Sequence, residues 1–310
     1  MRRRAAFLVS ALAVWLAGAA LGTAPAGPQA LAYPILEVGK AHPAESLPTL
    51  TSSKPIFILV VGSGARPGDN VDRSLSDAIH VLGINPAKHQ STILDIPRDS
   101  WVSIPGHGQN KINAAMSLGG MPLLIKTVES ITGIHINYYT LTTFEGFQAM
   151  IDDIGGLYVD VPTAMHDQYS KADFNPGYQR LNGHDALAFA RDRHNFTSGD
   201  FRRTWNQGYE MISALTQFRK TFVKDPTVMF QWVGAGMRNI ETDLSLEQLL
   251  NLAFTAYQIN PKHVNNIALQ GSTGTQQGQS VVFISSSNKK IYKDMKPDAI
   301  VKKNVKPPAA

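Results

Sequence analysis

Three short, continuous apolar runs near the start of the chain constrain its fold more than any other feature. They cover residues 56–61, 78–84 and 91–96, are rich in β-branched side chains, and the second and third are separated by the turn Asn85-Pro86. Runs of this length without polar alternation are typical of strands that are buried on both faces. The sequence therefore predicts a sheet that is packed between helices.

Helical patterns follow these runs. Pro122 stands near the start of one apolar-periodic segment, Thr142 with Glu145 matches a capping box, and Asn182 matches an N-cap. The predicted elements are a helix over 119–131, a helix over 144–154, a strand over 157–161, a helix that carries 187–189 and a longer helix over 198–218. This alternation predicts an α/β fold with a mixed central sheet.

The N-terminal segment has the pattern of an export signal. Arg2 to Arg4 precede an Ala-rich apolar run that reaches about residue 21, and Ala30-Leu31-Ala32 matches a cleavage site. The run lies between a secretory signal and the about 20 apolar residues that a spanning helix needs. Residues 1–32 are therefore either a signal peptide or an N-terminal membrane anchor, and both place the remaining chain outside the cytoplasm.

The rest of the chain is predicted to form one domain. Residues 33–54 are rich in Pro, Ala and Ser and indicate a linker, 55–288 form the domain, and the Lys- and Pro-rich residues 289–310 indicate a flexible tail. Of the 29 basic residues, 26 lie beyond Arg2–Arg4 and nearly balance the 24 acidic residues. This balance argues against a nucleic-acid partner. The absence of cysteine argues against disulfides and Cys-ligated metals.

Basic residues stand where several apolar segments end. Asp200, Arg203 and Gln207 are spaced to share one face at the start of the predicted long helix, where free backbone N–H groups favour anions. Guanidinium groups bind two oxygens of a phosphate or carboxylate at once. The other candidates of this kind are Arg98-Asp99, Lys111, Arg191 and Arg193. Each group also has a structural interpretation: a solvated face with an ion pair, which is favoured for Asp200 and Arg203 taken alone, dipole complementation at a helix end for Arg191 and Arg193, and a salt bridge for Arg98-Asp99. Lys111 by itself indicates little.

Motifs of several common enzyme classes are absent. The sequence has no dinucleotide fingerprint, no Walker motif, no G-x-S-x-G elbow and no H-E-x-x-H helix. The nine histidines are scattered. Among them, His184 and His194 are expected to be surface and loop residues rather than metal ligands.

Seven short segments follow one another in the order of a known family. They are ILVVGS at 58–63, IPRD at 96–99, KIN at 111–113, FEGF at 144–147, DIGGL at 153–157, LNGHDALAFARDRH at 181–194 and GDFRR at 199–203. Together they resemble the LytR-CpsA-Psr family of bacterial cell-envelope phosphotransferases over roughly 55–218, with weaker similarity towards 285. The resemblance implies a three-layer α/β/α domain with a hydrophobic groove for a polyprenyl chain.

The resemblance also implies a function. Such an enzyme moves a glycopolymer (teichoic acid, capsular polysaccharide or arabinogalactan) from a polyprenyl-pyrophosphate carrier to peptidoglycan, with pyrophosphatase as a side activity. Its partners are the lipid-linked glycopolymer, peptidoglycan and the membrane surface, and its place is the outer face of the bacterial cell membrane or the cell wall. The alternative is a non-catalytic envelope protein that binds polyprenyl phosphates or glycopolymer.

Site residues follow from the resemblance position by position. The implied phosphate-binding residues are Arg73, Arg98, Lys111, Arg191, Arg193, Arg203 and Gln207. Arg98 and Arg203 are also implied in catalysis, with Asp99 as a base or an orienting partner. Asp77 falls on a carboxylate that binds Mg²⁺ or Mn²⁺, and Asp200 matches an acidic motif position.

Three departures from the family pattern affect the predicted metal site more than the predicted phosphate site. Gly64 stands where the family usually has an aspartate, which removes one expected metal ligand. Arg73 lies two residues upstream of its usual place, and Asn206 replaces a common arginine. Asp69 or Asp72 would compensate for Gly64 if their loop folds back towards Asp77.

Overall fold

The computed structural model describes residues 54–302 and 307–309. The predicted export segment 1–32 and the predicted linker, apart from Lys54, lie outside the described residues. The strands are β1 Ile56–Ser63, β2 Ser76–Asn85, β3 Gln90–Asp95, β4 Trp101–Ile104, β5 Gly108–Lys111, β6 Tyr138–Thr142, β7 Leu157–Val161, β8 Met165–Asp167, β9 Ala172–Phe174, β10 Gly177–Leu181, β11 Glu241–Thr242, β12 Val264–Ala268, β13 Gly271–Gln276 and β14 Gln279–Ile284. The helices are α1 Ala114–Thr132, α2 Phe144–Asp153, α3 Gly183–Arg191, α4 Asp200–Lys224, α5 Val228–Asn239, α6 Leu246–Gln258 and α7 Asn288–Met295, with 3-10 turns at Val71–Arg73 and Pro261–His263.

A six-stranded mixed sheet with the order β11-β6-β1-β2-β3-β12 forms the centre of the molecule. β1 pairs in parallel with β6, and β3 with β12, whereas β1–β2, β2–β3 and β6–β11 are antiparallel. The three apolar runs of the sequence are β1, β2 and β3. The predicted mixed sheet is confirmed.

Helices cover both faces of this sheet. Phe57, Leu59 and Val61 point to the face that packs with α1 and α7, whereas Ile56 and Ile58 point to the face that packs with α4 and α6. This is the alternation expected of a pleated strand with two buried faces. The predicted three-layer α/β/α arrangement is confirmed.

Two helix starts test the predicted caps. Asn182 Oδ1 accepts a hydrogen bond from Asp185 N at 2.8 Å, as predicted for α3. The predicted capping box at Thr142 is wrong by one residue, because Thr143 Oγ1 accepts from Gly146 N at 3.0 Å. Thr142 instead donates its hydroxyl to the carbonyl of Asn239 at 2.8 Å.

Helix α1 is longer than the sequence predicted. It starts at Ala114 and contains a break at Gly119 and Gly120, where Gly120 has φ 68°. Only glycine takes this left-handed conformation easily. Pro122 follows the break, so the predicted segment 119–131 corresponds to the second part of α1.

The prediction of a flexible tail over 289–310 is wrong for residues 289–302. This stretch forms most of α7 and a buried extension in which Ile291, Met295 and Val301 are 8% exposed or less. The backbone N–H of Val301 also donates to Thr92 Oγ1 of β3 at 3.2 Å. The lysines of this segment led to the prediction of a solvated tail, but the segment forms a short amphipathic helix whose apolar face packs on the core.

Over residues 54–302 and 307–309, no helix is both long enough and apolar enough to cross a bilayer.

Candidate active site

A cavity of about 580 Å³ lies between the central sheet and helices α2, α3 and α4. Most of its wall is apolar and includes Phe147, Ile151, Leu187 and Met211. One end is strongly charged. The sequence-predicted site residues that line the cavity are Asp77, Arg98, Arg191, Arg193, Arg203 and Gln207. Segments that are up to 130 positions apart in the sequence therefore converge on one space. We call the end formed by Asp77, Arg98, Arg191, Arg193 and Arg203 the mouth.

Arg98 lies just beyond the end of β3 and is tied to carboxylates. Its Nη1 donates to Asp77 Oδ1, and its Nε lies 3.8 Å from Asp99 Oδ2. Burial alone would lower the pKa of Arg98, but the negative charges of Asp77, Asp99 and Asp200 outweigh it and raise that pKa above its ordinary value. The guanidinium therefore stays charged and oriented over the end of the sheet.

Asp99 lies between two cations and behind the cavity wall. Besides Arg98, it faces Lys111, whose Nζ is 3.1 Å from Asp99 Oδ1. Neither Asp99 nor Lys111 lines the cavity. Of the two roles left open for Asp99, this placement favours the orienting one, because the carboxylate holds Arg98 from behind.

The start of α4 carries a buried ion pair between Asp200 and Arg203. Both side chains are less than 9% exposed, so the solvated-face interpretation of this spacing is wrong. Burial raises the pKa of Asp200 against the opposing effect of Arg203, and it lowers the pKa of Arg203 against the opposing effect of Asp200. Gln207, one turn further on, donates to the carbonyl of Ala190 at 3.1 Å and fixes α4 against α3.

Arg191 and Arg193 contrast with the paired arginines. Arg191 ends α3, and its guanidinium carbon lies 4.9 Å from the centre of the Phe144 ring, a cation–π distance. Among the residues that the structure describes, neither arginine has an ion-pair partner or a hydrogen-bond acceptor for its side chain. The mouth therefore holds two positive charges that no carboxylate neutralises directly.

Arg73 is not brought to the cavity. Its guanidinium is exposed, and its Nη1 donates to the carbonyl of Leu118 at 3.1 Å. The 3-10 turn at Val71–Arg73 directs the side chain towards α1 instead. The structure therefore does not bring Arg73 together with the predicted phosphate-binding residues that line the cavity.

The predicted metal position has one carboxylate. A Cβ atom built on Gly64 would lie 3.0 Å from Asp77 Oδ2, so the position at which the family resemblance implies an aspartate does adjoin Asp77. Asp69 accepts from Arg66 N at 2.8 Å within its own turn, and neither it nor the exposed Asp72 lines the cavity. No group of three or more His, Asp or Glu residues in the described ranges is arranged to hold a metal.

With one carboxylate at this position, a metal ion would need further oxygen ligands. Mg²⁺ prefers six oxygen ligands and is often held by one or two carboxylates together with substrate phosphates. Asp77 alone supplies one such carboxylate. The residues present therefore fit Mg²⁺ or Mn²⁺ only when phosphate oxygens of a bound ligand complete the coordination.

Sequence reasoning missed three groups deeper in the site. His80 and Glu210 line the cavity, and Asp95 Oδ1 accepts from or donates to His80 Nδ1 at 2.7 Å. The available signal was a charged or polar residue inside an otherwise apolar strand, as in Ile93-Leu94-Asp95-Ile96. His194 lies in a loop, as predicted. It also lines the cavity, and its Nδ1 is 3.0 Å from Asp167 Oδ2.

A family comparison agrees with this fold. The LytR_cpsA_psr family model matches residues 36–296. The chain belongs to the LytR-CpsA-Psr family, as its motifs indicated.

Individual relatives and a solved structure add detail. Polyisoprenyl-teichoic acid–peptidoglycan teichoic acid transferase TagU of Bacillus cereus (strain AH820) is 32% identical over 204 residues, which are 66% of this chain and 65% of that protein. The chain thus spans slightly less than two thirds of this relative. TagU of Enterococcus faecalis (strain ATCC 700802 / V583) is 30% identical over 234 residues, covering 74% of this chain and 75% of that protein. The crystal structure of B. subtilis TagV matches with a TM-score of 0.69 at 26% identity, over 80% of this chain and 98% of TagV.

Proposed function

We propose that this chain is an extracytoplasmic phosphotransferase that attaches a cell-wall glycopolymer to peptidoglycan. The donor is the glycopolymer on a polyprenyl-pyrophosphate carrier, and the polymer is of the teichoic acid, capsular polysaccharide or arabinogalactan type. The observation that carries this proposal is the convergence of Arg98, Arg191, Arg193 and Arg203 on one end of a largely apolar cavity. The relatives named as teichoic acid transferases support the same class of reaction.

The cavity suits an amphiphile with an anionic head. Guanidinium groups bind phosphate oxygens in pairs, and four of them at the mouth match the charge of a pyrophosphate. The apolar wall beyond the mouth would accept the first isoprene units of the carrier. This wall includes Met211 and Ala214, which also line a second, almost wholly apolar cavity of about 320 Å³.

Ligand binding would rearrange the ion pairs of the mouth. In the structure, the Asp77 carboxylate accepts a hydrogen bond from the Arg98 guanidinium, which a phosphate oxygen of the ligand would otherwise accept. When a pyrophosphate takes its place, the Asp77 carboxylate becomes free to hold Mg²⁺ or Mn²⁺ together with phosphate oxygens. Such an ion would supply further neutralisation of the leaving group.

The chain's own residues contribute mainly charge and position. The acceptor hydroxyl oxygen forms a bond to the outer phosphorus, and the bond from that phosphorus to the bridging oxygen breaks. The hydroxyl proton passes to the phosphate of the leaving group, which is released as polyprenyl monophosphate. Negative charge spreads over the non-bridging oxygens in the transition state. Arg98, held from behind by Asp99, and Arg203, held by Asp200, are pre-oriented donors for that charge.

The second candidate function is a non-catalytic envelope protein that binds the lipid carrier or its polymer. The glycine at position 64 favours it, because the site has one carboxylate where two would hold a metal more firmly. Both functions require the same cavity. They differ in turnover.

The test measures transfer from a short lipid-pyrophosphate-linked glycan to peptidoglycan fragments, with and without Mg²⁺ or Mn²⁺. Arg98→Ala and Arg203→Ala are expected to lower the rate about 100- to 1,000-fold, as removal of an oriented transition-state donor does. Arg238→Ala, an exposed arginine that pairs with Asp153 outside the cavity, is the matched control. Tight lipid binding without any turnover by the unmodified protein would establish the binding module instead.

A further inference from the structure

His80 and Glu210 line the cavity, and Asp95 lies behind His80, hydrogen-bonded to its ring; we call these three side chains the inner polar set. All three are at most 4% exposed. His80 Nε2, Asp95 Oδ2 and Glu210 Oε1 have no hydrogen-bond partner in the structure. Buried polar atoms without partners are rare and destabilising in native proteins. Such a group facing an open cavity indicates a ligand.

The register of the sheet gives the depth of His80. Ala78 pairs with Gly62, and His80 pairs with Val60, and all four residues line the cavity. His80 is two residues further from the mouth than Ala78, which corresponds to about 6.6 Å at the usual rise of a strand. The imidazole therefore lies below the arginines, on the floor formed by β2.

The helix on the opposite wall gives the depth of Glu210. Arg203, Gln207 and Glu210 share the face of α4 that lines the cavity, and Glu210 follows Arg203 by about 10 Å along the helix axis. A Cβ atom on Gly208 would lie 2.8 Å from Asp95 Oδ1, so α4 is pressed against the sheet at this level. The next residues of this face, Met211 and Ala214, are apolar.

The inner polar set can donate hydrogen bonds without adding net negative charge. Burial raises the pKa of Glu210 well above its ordinary value and so favours the protonated carboxyl, the form that carries an O–H donor. Burial also raises the pKa of Asp95 to about 6, against the hydrogen bond from His80. The hydrogen bond between Asp95 Oδ1 and His80 Nδ1 leaves Nε2 as the ring nitrogen that has no partner in the structure.

We propose that His80 and Glu210 hydrogen-bond the inner phosphate of the lipid pyrophosphate, the one esterified to the prenyl chain, while Asp95 orients the His80 ring. The prenyl chain itself offers no hydrogen-bond partner. The arginines of the mouth hold the outer phosphate, and the inner phosphate is the next polar group of the donor along the cavity. His80 and Glu210 are then positioning residues for the leaving polyprenyl monophosphate. This inference rests on the proposed function.

The experiment uses the full domain and geranylgeranyl diphosphate as the probe. Glu210→Met removes the donor at nearly constant volume, whereas Glu210→Gln keeps a neutral N–H donor. We expect about 10- to 100-fold weaker binding for Glu210→Met, the usual effect of losing a hydrogen bond to a charged group, and much smaller loss for Glu210→Gln. Calorimetry measures both. Without ligand, Glu210→Met is expected to raise Tm, because an unpartnered buried carboxyl is removed.

Phosphorus NMR locates the contact. The two phosphorus signals of the bound diphosphate are distinct, and His80→Gln is expected to shift the prenyl-bearing phosphorus more than the terminal one. A readout without any substitution is the ¹⁵N signal of His80 Nε2 in histidine-labelled protein, which should move when the diphosphate is added.

The outcomes separate this inference from the proposed function. If the protein binds the diphosphate and transfers polymer, but Glu210→Met binds as tightly and the His80 signal does not move, the inner phosphate contact is wrong and the transferase stands. If Arg98→Ala retains full transfer while Glu210→Met loses binding, the proposed mouth fails and the inner contact survives. If the unmodified protein binds no prenyl diphosphate, both are overturned.

Discussion

Restoring a carboxylate at position 64 is the sharpest test of the metal site. In Gly64→Asp, the new Cβ would lie 3.0 Å from Asp77 Oδ2 and 3.3 Å from the carbonyl of Leu75. The two carboxylates would then stand about 4 Å apart, where like charges repel by about 4 kcal/mol at an effective dielectric constant of about 20. Partial exposure and the neighbouring Arg98 reduce this to about 2 kcal/mol.

The expected result is a reversal by metal. Without divalent cations, Gly64→Asp should lower Tm by about 4–8 °C, the equivalent of about 2 kcal/mol in a domain of this size. With millimolar Mg²⁺, the same carboxylate pair becomes a binding site, and Tm should recover to the value of the unmodified protein or above it. The unmodified protein, with Asp77 alone, should respond little to Mg²⁺ in the absence of a phosphate ligand.

Gly64→Asn is the matched control, because it adds the same bulk without the charge. Differential scanning calorimetry with and without Mg²⁺ compares the three proteins. Equal losses in the Asp and Asn variants, with no recovery in Mg²⁺, would mean that crowding of the Asp77 carboxylate sets the cost. The assignment of Asp77 as a metal-binding carboxylate would then be refuted.

Three further outcomes are expected. Lys111→Met removes one of the two cations that face Asp99, so transfer should fall about tenfold by loss of a charge-assisted contact, while Tm changes little. Asn288→Ala removes a fully buried amide that bonds Gln270 at 2.7 and 3.0 Å, and urea unfolding should show a loss of about 2–4 kcal/mol, with exposed Lys289→Ala as the control. Because burial raises the pKa of Asp95 from 3.8 to about 6, the native chain keeps a proton that the unfolded chain releases between these values. The free energy of unfolding should therefore decrease as pH rises from about 4 to 6, and Asp95→Asn should remove that component from urea titrations at the two pH values.

The sequence predicted the centre of the fold because strand burial leaves a local mark. Continuous β-branched runs specify β1, β2 and β3, and Asn182 specifies the start of α3 through its own side chain. The failures are local ambiguities. Two adjacent threonines, Thr142 and Thr143, both suit an N-cap, and only the packing of Thr142 against α5 decides between them.

The C-terminal error has a different cause. The lysines around Ile291 and Met295 suggested a solvated segment, yet these two apolar residues lie on one face of α7 and fill the core beside β2. A Cβ on Gly83 would lie 2.7 Å from the Met295 side chain, so the strand leaves room for this helix. Composition averages over both faces of a short helix and hides such a contact.

The candidate site shows the same limit more strongly. Arg98, Arg191 and Arg203 were each compatible with ordinary surface charge, and only the order of the family motifs placed them together. Glu210 and His80 could not be placed in the site from the sequence, because their depth depends on the pairing register of β2 and on the rotation of α4, which are long-range properties. Residues that face one another across a cavity are thus the last part of a site that single-sequence reasoning can find.

The order of polar groups along the cavity explains why its inner donors are not arginines. At the partly exposed mouth, Arg98 keeps its charge beside carboxylates, and Arg191 and Arg193 await an anion. Deeper in the apolar wall, a permanent charge would cost several kcal/mol of lost hydration whenever the site is empty. The carboxyl of Glu210, whose pKa burial raises well above its ordinary value, and the His80 ring, which is hydrogen-bonded to Asp95, place polar groups at this depth without a permanent charge. The gradient from charged, through neutral polar, to apolar follows the chemistry of a prenyl pyrophosphate from its outer phosphate to its hydrocarbon chain.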